Sequence, residues 1–173
     1  MTRWRAPAKP SSPYITAAGY RQLEAEMVAI WKRRREVVKH LAAAAAEGDR
    51  SENAEYIYRK KELGGIDRRI RYLQRRMPTL NIISRLQCDQ ACTFFGASVE
   101  VEHDNGTCTT YRIVGSDETD GARGWISVDS PVAKALLTHA VDDEITVATG
   151  AGSNTYVIVA ISYLDPTADL TPP

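Results

Sequence analysis

Two stretches of apolar side chains, each stepping by threes and fours and separated by four residues, constrain this chain more than any other feature. The first passes through Tyr20, Leu23, Met27, Ile30, Val37 and Leu41, with Arg34 interrupting it. The second passes through Tyr56, Arg59, Leu63, Ile66, Ile70, Leu73, Met77 and Leu80. That spacing gathers each set on one stripe of an α-helix, as in the seam of a coiled coil. Since only "GDRS" lies between them, the helices are expected to run antiparallel, as a hairpin over residues 14–80 with its tip at 48–53. Thr16 is placed to cap the first helix, and Gly48 to end it in the left-handed conformation. Pro78 disfavours helix in the last turn of the second. A first helix of about thirty residues is roughly 45 Å long, which would hold the tip well away from any core formed by the rest of the chain.

From Phe94 the period changes. "SVEVEH", "CTTYRIVG", "GWISV", "DEITVAT" and "TYVIVAISYL" read as strands, with Asn105-Gly106 as a tight hairpin turn between the first two. Within this series "DSPVAKALLTHA" begins with a capping Asp or Ser followed by a proline, and carries Val132, Leu136 and Leu137 on helical spacing. The expectation is an α+β chain: a helical hairpin, a linker over 81–93, and a mainly antiparallel sheet domain with one helix over 94–165.

The 173-residue chain has no net charge, yet residues 1–80 carry 18 Lys/Arg against 9 Asp/Glu and residues 81–173 carry 4 against 13. The two halves are therefore expected to meet different partners, the basic one suiting a phosphate backbone. Residues 1–13, basic and proline-rich, lack the apolar stretch of a secretory signal and read as a disordered leader; residues 166–173 read as a disordered tail. Three cysteines and the absence of an apolar run near 20 residues point to a reducing, cytoplasmic setting without a membrane span. Nothing in the pattern calls for an oligomer, so a monomer is expected.

The chemistry concentrates at the tip, in "EGDRSENAEY". Asp49 and Glu52 have the spacing of a capping box, in which each side chain satisfies an orphan backbone N–H. They are equally two hard oxygen ligands for a divalent cation, too few to hold it tightly without a partner's ligands. Arg50, Ser51, Asn53, Glu55 and Tyr56 surround them with more polar groups than a turn needs.

With "YRKKELGGIDRRIRYLQRR" behind it, this stretch resembles the Gre transcript cleavage factors, most closely the GreB type. The resemblance spans Thr16 to Leu80 and continues through "FFGASVEVE", "YRIVG" and "ISVDSPVAKALL". It implies that the second domain is FKBP-like and docks on bacterial RNA polymerase, with Asp129, Ser130 and Pro131 in the docking loop. It implies that the hairpin enters the polymerase secondary channel, where Asp49 and Glu52 help hold a catalytic Mg²⁺. Backtracked nascent RNA would then be cut at its 3′ end by the polymerase, rescuing arrested complexes, with DNA reached only indirectly through the elongation complex. On this view the factor is not an enzyme by itself, binds no cofactor tightly, and shares its Mg²⁺ with the polymerase. A basic patch of Arg33, Arg34, Lys60, Lys61, Arg68 and Arg69 would contact RNA through phosphate charge. The alternative within the resemblance is a channel-binding regulator without cleavage activity.

Some features depart from that pattern or stand outside it. Gly64-Gly65 falls within the second helix, where two glycines cost roughly 1–2 kcal/mol and a kinked or softer hairpin is expected, and Glu62 stands where the GreB pattern is basic. Cys88, Cys92, Cys108 and His103 match no common zinc spacing. Trp31 and Trp125 read as packing anchors, and His40 and His139 as surface or packing residues.

Overall fold

A computed structural model describes residues 10–46, 53–83, 91–149 and 152–163. The chain divides into two compact units, residues 20–80 and residues 1–19 with 81–173.

In the first unit, helix α1 (Ala17–Ala46, beginning in the other unit) and helix α2 (Ala54–Arg76) form the expected hairpin. Thr16 does cap α1, its Oγ1 accepting from the Gly19 N–H at 3.0 Å. Fewer seam residues are fully enclosed than the periodicity suggests. Leu23, Val37, Ala44, Ile70 and Leu73 are buried, whereas Met27, Ile30, Leu63 and Ile66 are half-covered, because two helices alone enclose only a narrow strip. Ionic contacts flank that strip. Arg34, the interruption in the first seam, reaches Asp67 at 2.7 Å; Arg33 reaches Glu62 at 2.6 Å; and Arg69 grips both carboxylate oxygens of Glu26, at 2.6 and 2.7 Å. Partly exposed pairs of this kind contribute about 0.2–1 kcal/mol each, but three of them between two helices also select one register over its neighbours. The Arg69 hydrogen bond holds the Glu26 carboxyl below the usual glutamate range.

α2 continues through Gly64 and Gly65 as unbroken helix. A Cβ at Gly64 would meet Arg68 Nη1 at 3.6 Å, and one at Gly65 would meet Nη2 at 3.8 Å, both ordinary contacts. The helix ends at Arg76, and a single 3₁₀ turn over Met77–Thr79 carries Pro78, so Met77 and Leu80 lie outside α2.

The second unit corrects the expected boundaries at both ends of the hairpin. Strand β1 (Tyr14–Thr16) pairs in parallel with β2 (Asn81–Ile83), and Asn81 N donates to Pro13 O at 2.7 Å. Residues 81–83 are thus strand where linker is expected, and residues 10–13 are held in place rather than part of a free leader. Ile15 is fully buried there. A three-residue strand is too short to show a period, which is why the sequence does not announce it.

Strands β3 (Ala97–His103), β4 (Cys108–Val114), β5 (Trp125–Ser127), β6 (Glu144–Thr149) and β7 (Gly152–Tyr163) form one sheet in the order β5-β4-β3-β7-β6. All pairings are antiparallel except β4 with β5. Helix α3 (Pro131–Leu136) packs Ala133 and Leu136 against Val99, Val101, Ile113, Ile145, Val147 and Ile158, closing the core on one face. The α+β arrangement, helical hairpin then mainly antiparallel sheet with one helix, is the one expected. In β7 a bulge sets Ala160 opposite Glu100 but Ile158 opposite Val101, so the alternation changes phase there. Tyr156 and Ile158 face the core before it, Ile161 and Tyr163 after it, and Val157 and Val159 face solvent.

Two outcomes follow for the hairpin. Gly65→Ala should raise its stability by about 0.5–1 kcal/mol in urea unfolding, since the new methyl meets only the end of a flexible arginine. Glu26 has a depressed carboxyl in the folded state, so its contribution is present above the ordinary glutamate value and is lost as pH falls through the folded one. Below that ordinary value, the Tm of Glu26→Gln should fall less steeply with acidification than that of the native protein, as followed by circular dichroism.

Candidate functional site

Asp49, Arg50, Ser51 and Glu52 lie outside the described residues, and the site is built from the groups that border them. On one side, α1 runs to Ala46 through the alanine run, with Ala44 buried against the partner helix. On the other, Asn53 is the N-cap of α2, with φ −80° and ψ 100°, and its Oδ1 accepts from Tyr56 N at 3.0 Å. The same side chain donates through Nδ2 to Ala44 O at 3.0 Å, across to α1.

This placement bears on the capping reading of the acidic pair. A capping box needs its members at the N-cap and N3 positions, and here those are Asn53 and Tyr56. Neither Asp49 nor Glu52 occupies either one. Capping of α2 is therefore done by a neutral amide. Glu55, in the first turn, is half-exposed and bonds Arg59 at 2.7 Å, while Lys60 Nζ sits 5.9 Å from the centre of the Tyr56 ring.

The basic residues separate into two groups. Arg33, Arg34 and Arg69 hold interhelical carboxylates, as described above. The Arg33 hydrogen bond, and then that from Arg59, depress the Glu62 carboxyl, while Glu55 and then Glu62 hold Arg59 more firmly protonated. Glu62, out of place in a basic patch, is thus the acid on which two arginines converge. Lys60, Lys61 and Arg68 are exposed and form no ion pair among the described residues. Trp31 is not the anchor expected of it: the residue is 39% exposed, and the Arg34 guanidinium stands 5.6 Å from its ring centre. Trp125 is half-buried, flanked by Arg112 at 4.9 Å and Arg123 at 5.3 Å.

In the sheet unit, Asp129, Ser130 and Pro131 have distinct local duties. Ser130 caps α3, accepting from Ala133 N at 3.1 Å, and Pro131 takes the first helical position. Asp129 accepts from Ser12 N at 2.8 Å, Ser12 Oγ at 2.5 Å and Ser116 Oγ at 3.0 Å, and these bonds, that of the Ser12 hydroxyl foremost, hold its carboxyl below the usual aspartate range. Its charge fixes the loop to the chain that precedes β1.

Glu118 was not singled out in the sequence. It is 8% exposed and accepts from Thr16 N at 2.9 Å, Gly115 N at 3.0 Å and the Thr16 hydroxyl, fastening the root of α1 to the loop after β4. Gly19 makes room for it, since a Cβ there would stand 2.0 Å from Glu118 Oε2. No local motif marks the contact with Thr16, because that partner is 102 positions away. Among the cysteines, Cys88 lies outside the described residues, Cys92 is half-buried and Cys108 exposed; His103 Nε2 lies 2.9 Å from Thr109 Oγ1.

The chain matches two sequence profiles: "Transcription elongation factor, N-terminal" over residues 13–82, and "Transcription elongation factor, GreA/GreB, C-term" over residues 89–163. It is 54% identical over 165 residues to the transcription elongation factor GreB of Xanthomonas axonopodis pv. citri (strain 306), covering 94% of this chain and 98% of that protein. It is 49% identical over 153 residues to GreB of Haemophilus ducreyi, covering 88% and 94%. A crystal structure of GreA factor homolog 1 of Thermus thermophilus aligns with a TM-score of 0.41 at 26% identity, covering 86% of this chain and 97% of that one.

Replacing Glu118 with alanine should strand the Thr16 and Gly115 N–H groups and cost about 1–3 kcal/mol. Urea unfolding followed by tryptophan fluorescence measures it, and a change within error would show the clamp to be dispensable.

Proposed function

The chain belongs to the GreA/GreB family of transcription elongation factors, and from that membership we propose that it binds bacterial RNA polymerase and stimulates cleavage of backtracked nascent RNA. The hairpin enters the secondary channel, and the sheet domain, through the loop of Asp129, Ser130 and Pro131, docks at its rim. Asp49 and Glu52 are lent to the Mg²⁺ site of the polymerase. The factor has no nuclease activity by itself.

One observation supports this assignment of the acids above the others. Asn53 performs the capping for which the spacing of Asp49 and Glu52 was otherwise suited, so that local structural role does not account for the two carboxylates. As hard oxygen donors they fit Mg²⁺, and two are too few to retain it without the polymerase. A shared Mg²⁺, when bound, lowers the pKa of an attacking water and stabilises charge on the scissile phosphate. Asp49 and Glu52 contribute ligand charge, the hairpin delivers them, and Lys60, Lys61 and Arg68 offer positive charge to the RNA without reading its sequence. Arg33, Arg34 and Arg69 are given a first duty in holding the helices together, so their contact with RNA is secondary.

The test is cleavage by defined backtracked elongation complexes with native factor, Asp49→Ala and Glu52→Ala. Each variant should lose about a hundredfold or more in cleavage rate while competing for polymerase nearly as well as native protein. Native-like cleavage by both would remove the ligand assignment. Binding by native protein with inhibition and no cleavage would make it a channel-binding regulator.

A further inference from the structure

Where α1 ends and α2 begins, two sets of backbone groups lack helical partners: the last carbonyls of one helix and the first N–H groups of the other. The Asn53 side chain serves one of each. Its Oδ1 accepts from Tyr56 N and its Nδ2 donates to Ala44 O, both at 3.0 Å. Ala44 is 3% exposed, so it is a site where the small methyl lets the amide of the facing helix come close.

The choice of residue is informative. Asp, Ser and Thr all serve as N-caps about as well as Asn, so the cap alone does not require an amide. The second bond does. A carboxylate of the same length has no donor, and a hydroxyl is too short to reach both helices, whereas an amide presents acceptor and donor on one rigid plane. The arrangement is a staple that joins the end of α1 to the start of α2 across the eight residues between Ala44 and Asn53, among them Asp49 and Glu52.

We propose that Asn53 is a positioning residue for transcript cleavage, its amide setting the spacing of the two chain ends that carry the acidic pair. The proposal rests on the reading of Asp49 and Glu52 as ligands of a shared Mg²⁺. Ligands delivered to a site in another protein act only if they arrive in the required geometry, and a displacement of about 1 Å costs on the order of a hundredfold in rate. Joining Ala44 to Asn53 limits the separation of the two chain ends from which the acidic pair is presented.

The test uses full-length Asn53→Ser and Asn53→Asp, which keep the cap acceptor and lose the donor, beside Asp49→Ala, in cleavage assays on backtracked complexes over a range of Mg²⁺ concentrations. Both Asn53 variants should retain native helix content and compete for polymerase within about twofold of native protein, because the cap survives. Their cleavage should fall by roughly ten- to a hundredfold, and the Mg²⁺ concentration for half-maximal cleavage should rise. Agreement between the neutral and the charged variant separates loss of the donor from the added charge. Native-rate cleavage by both, beside a defective Asp49→Ala, overturns the positioning role alone. Slower cleavage with an unchanged Mg²⁺ requirement and reduced helix content also overturns it, leaving a purely structural cap. Native-rate cleavage by Asp49→Ala overturns the parent reading of the acids, and the positioning role with it.

Discussion

The parallel pairing of β1 with β2 is the constraint from which the rest of the architecture follows. It fastens together two short segments lying on either side of the whole hairpin, so the chain between them must go out and come back. Ile15 is buried at this junction, Pro13 O accepts from Asn81 N, and Glu118 binds the first turn of α1 through Thr16. The root of the outgoing helix is therefore held by backbone pairing and by a buried carboxylate. At the far end of the returning loop the helices are joined again, by the Asn53 amide. Within the hairpin, which has little core of its own, the ion pairs along it keep the two helices in register.

Those ion pairs change how a basic surface is understood. Positive charge on the hairpin invites a nucleic-acid reading throughout, yet Arg33, Arg34 and Arg69 hold Glu62, Asp67 and Glu26 on the facing helix. Charge that offsets a neighbouring carboxylate adds less to the field reaching a phosphate. Lys60, Lys61 and Arg68 therefore contribute more per residue to any electrostatic attraction than Arg33, Arg34 and Arg69 do.

The parts legible in the sequence were those with a period. Steps of three and four marked both helices, alternation marked β3, and Thr16, Asn105-Gly106 and Ser130-Pro131 marked their own turns and caps. What escaped was set by contacts between distant positions. Arg34 showed as a gap in a seam, but nothing nearby named Asp67 as its partner. Ser12 looked like part of a loose leader until Asp129 was found against it. Glu118 had no signature because Thr16, which it binds twice, comes from the start of the chain. At the tip, the Asp-x-x-Glu template was a reasonable local match that lost to Asn53, a neighbouring residue whose amide reaches a second helix as well as its own. Asp49 and Glu52 were singled out by chemistry and by resemblance, and their assignment rests on those grounds together with the loss of the capping alternative.

The bulge in β7 gives that strand a counting rule. Tyr156 and Ile158, even-numbered, face the core before the bulge, and Ile161 and Tyr163, odd-numbered, face it after, with the switch absorbed around Val159 and Ala160. Tyr163, on the far side of the switch, donates to Cys92 O at 2.6 Å and accepts from Phe94 N at 2.9 Å, tying down the segment that leads into the sheet. An unbroken ladder with every residue retained would turn Ile161 and Tyr163 outward, whereas the bulge keeps them opposite Val99 and Ala97. The irregular residue is thus what keeps the two halves of the strand in agreement, and a tidier sheet would be a worse-connected one.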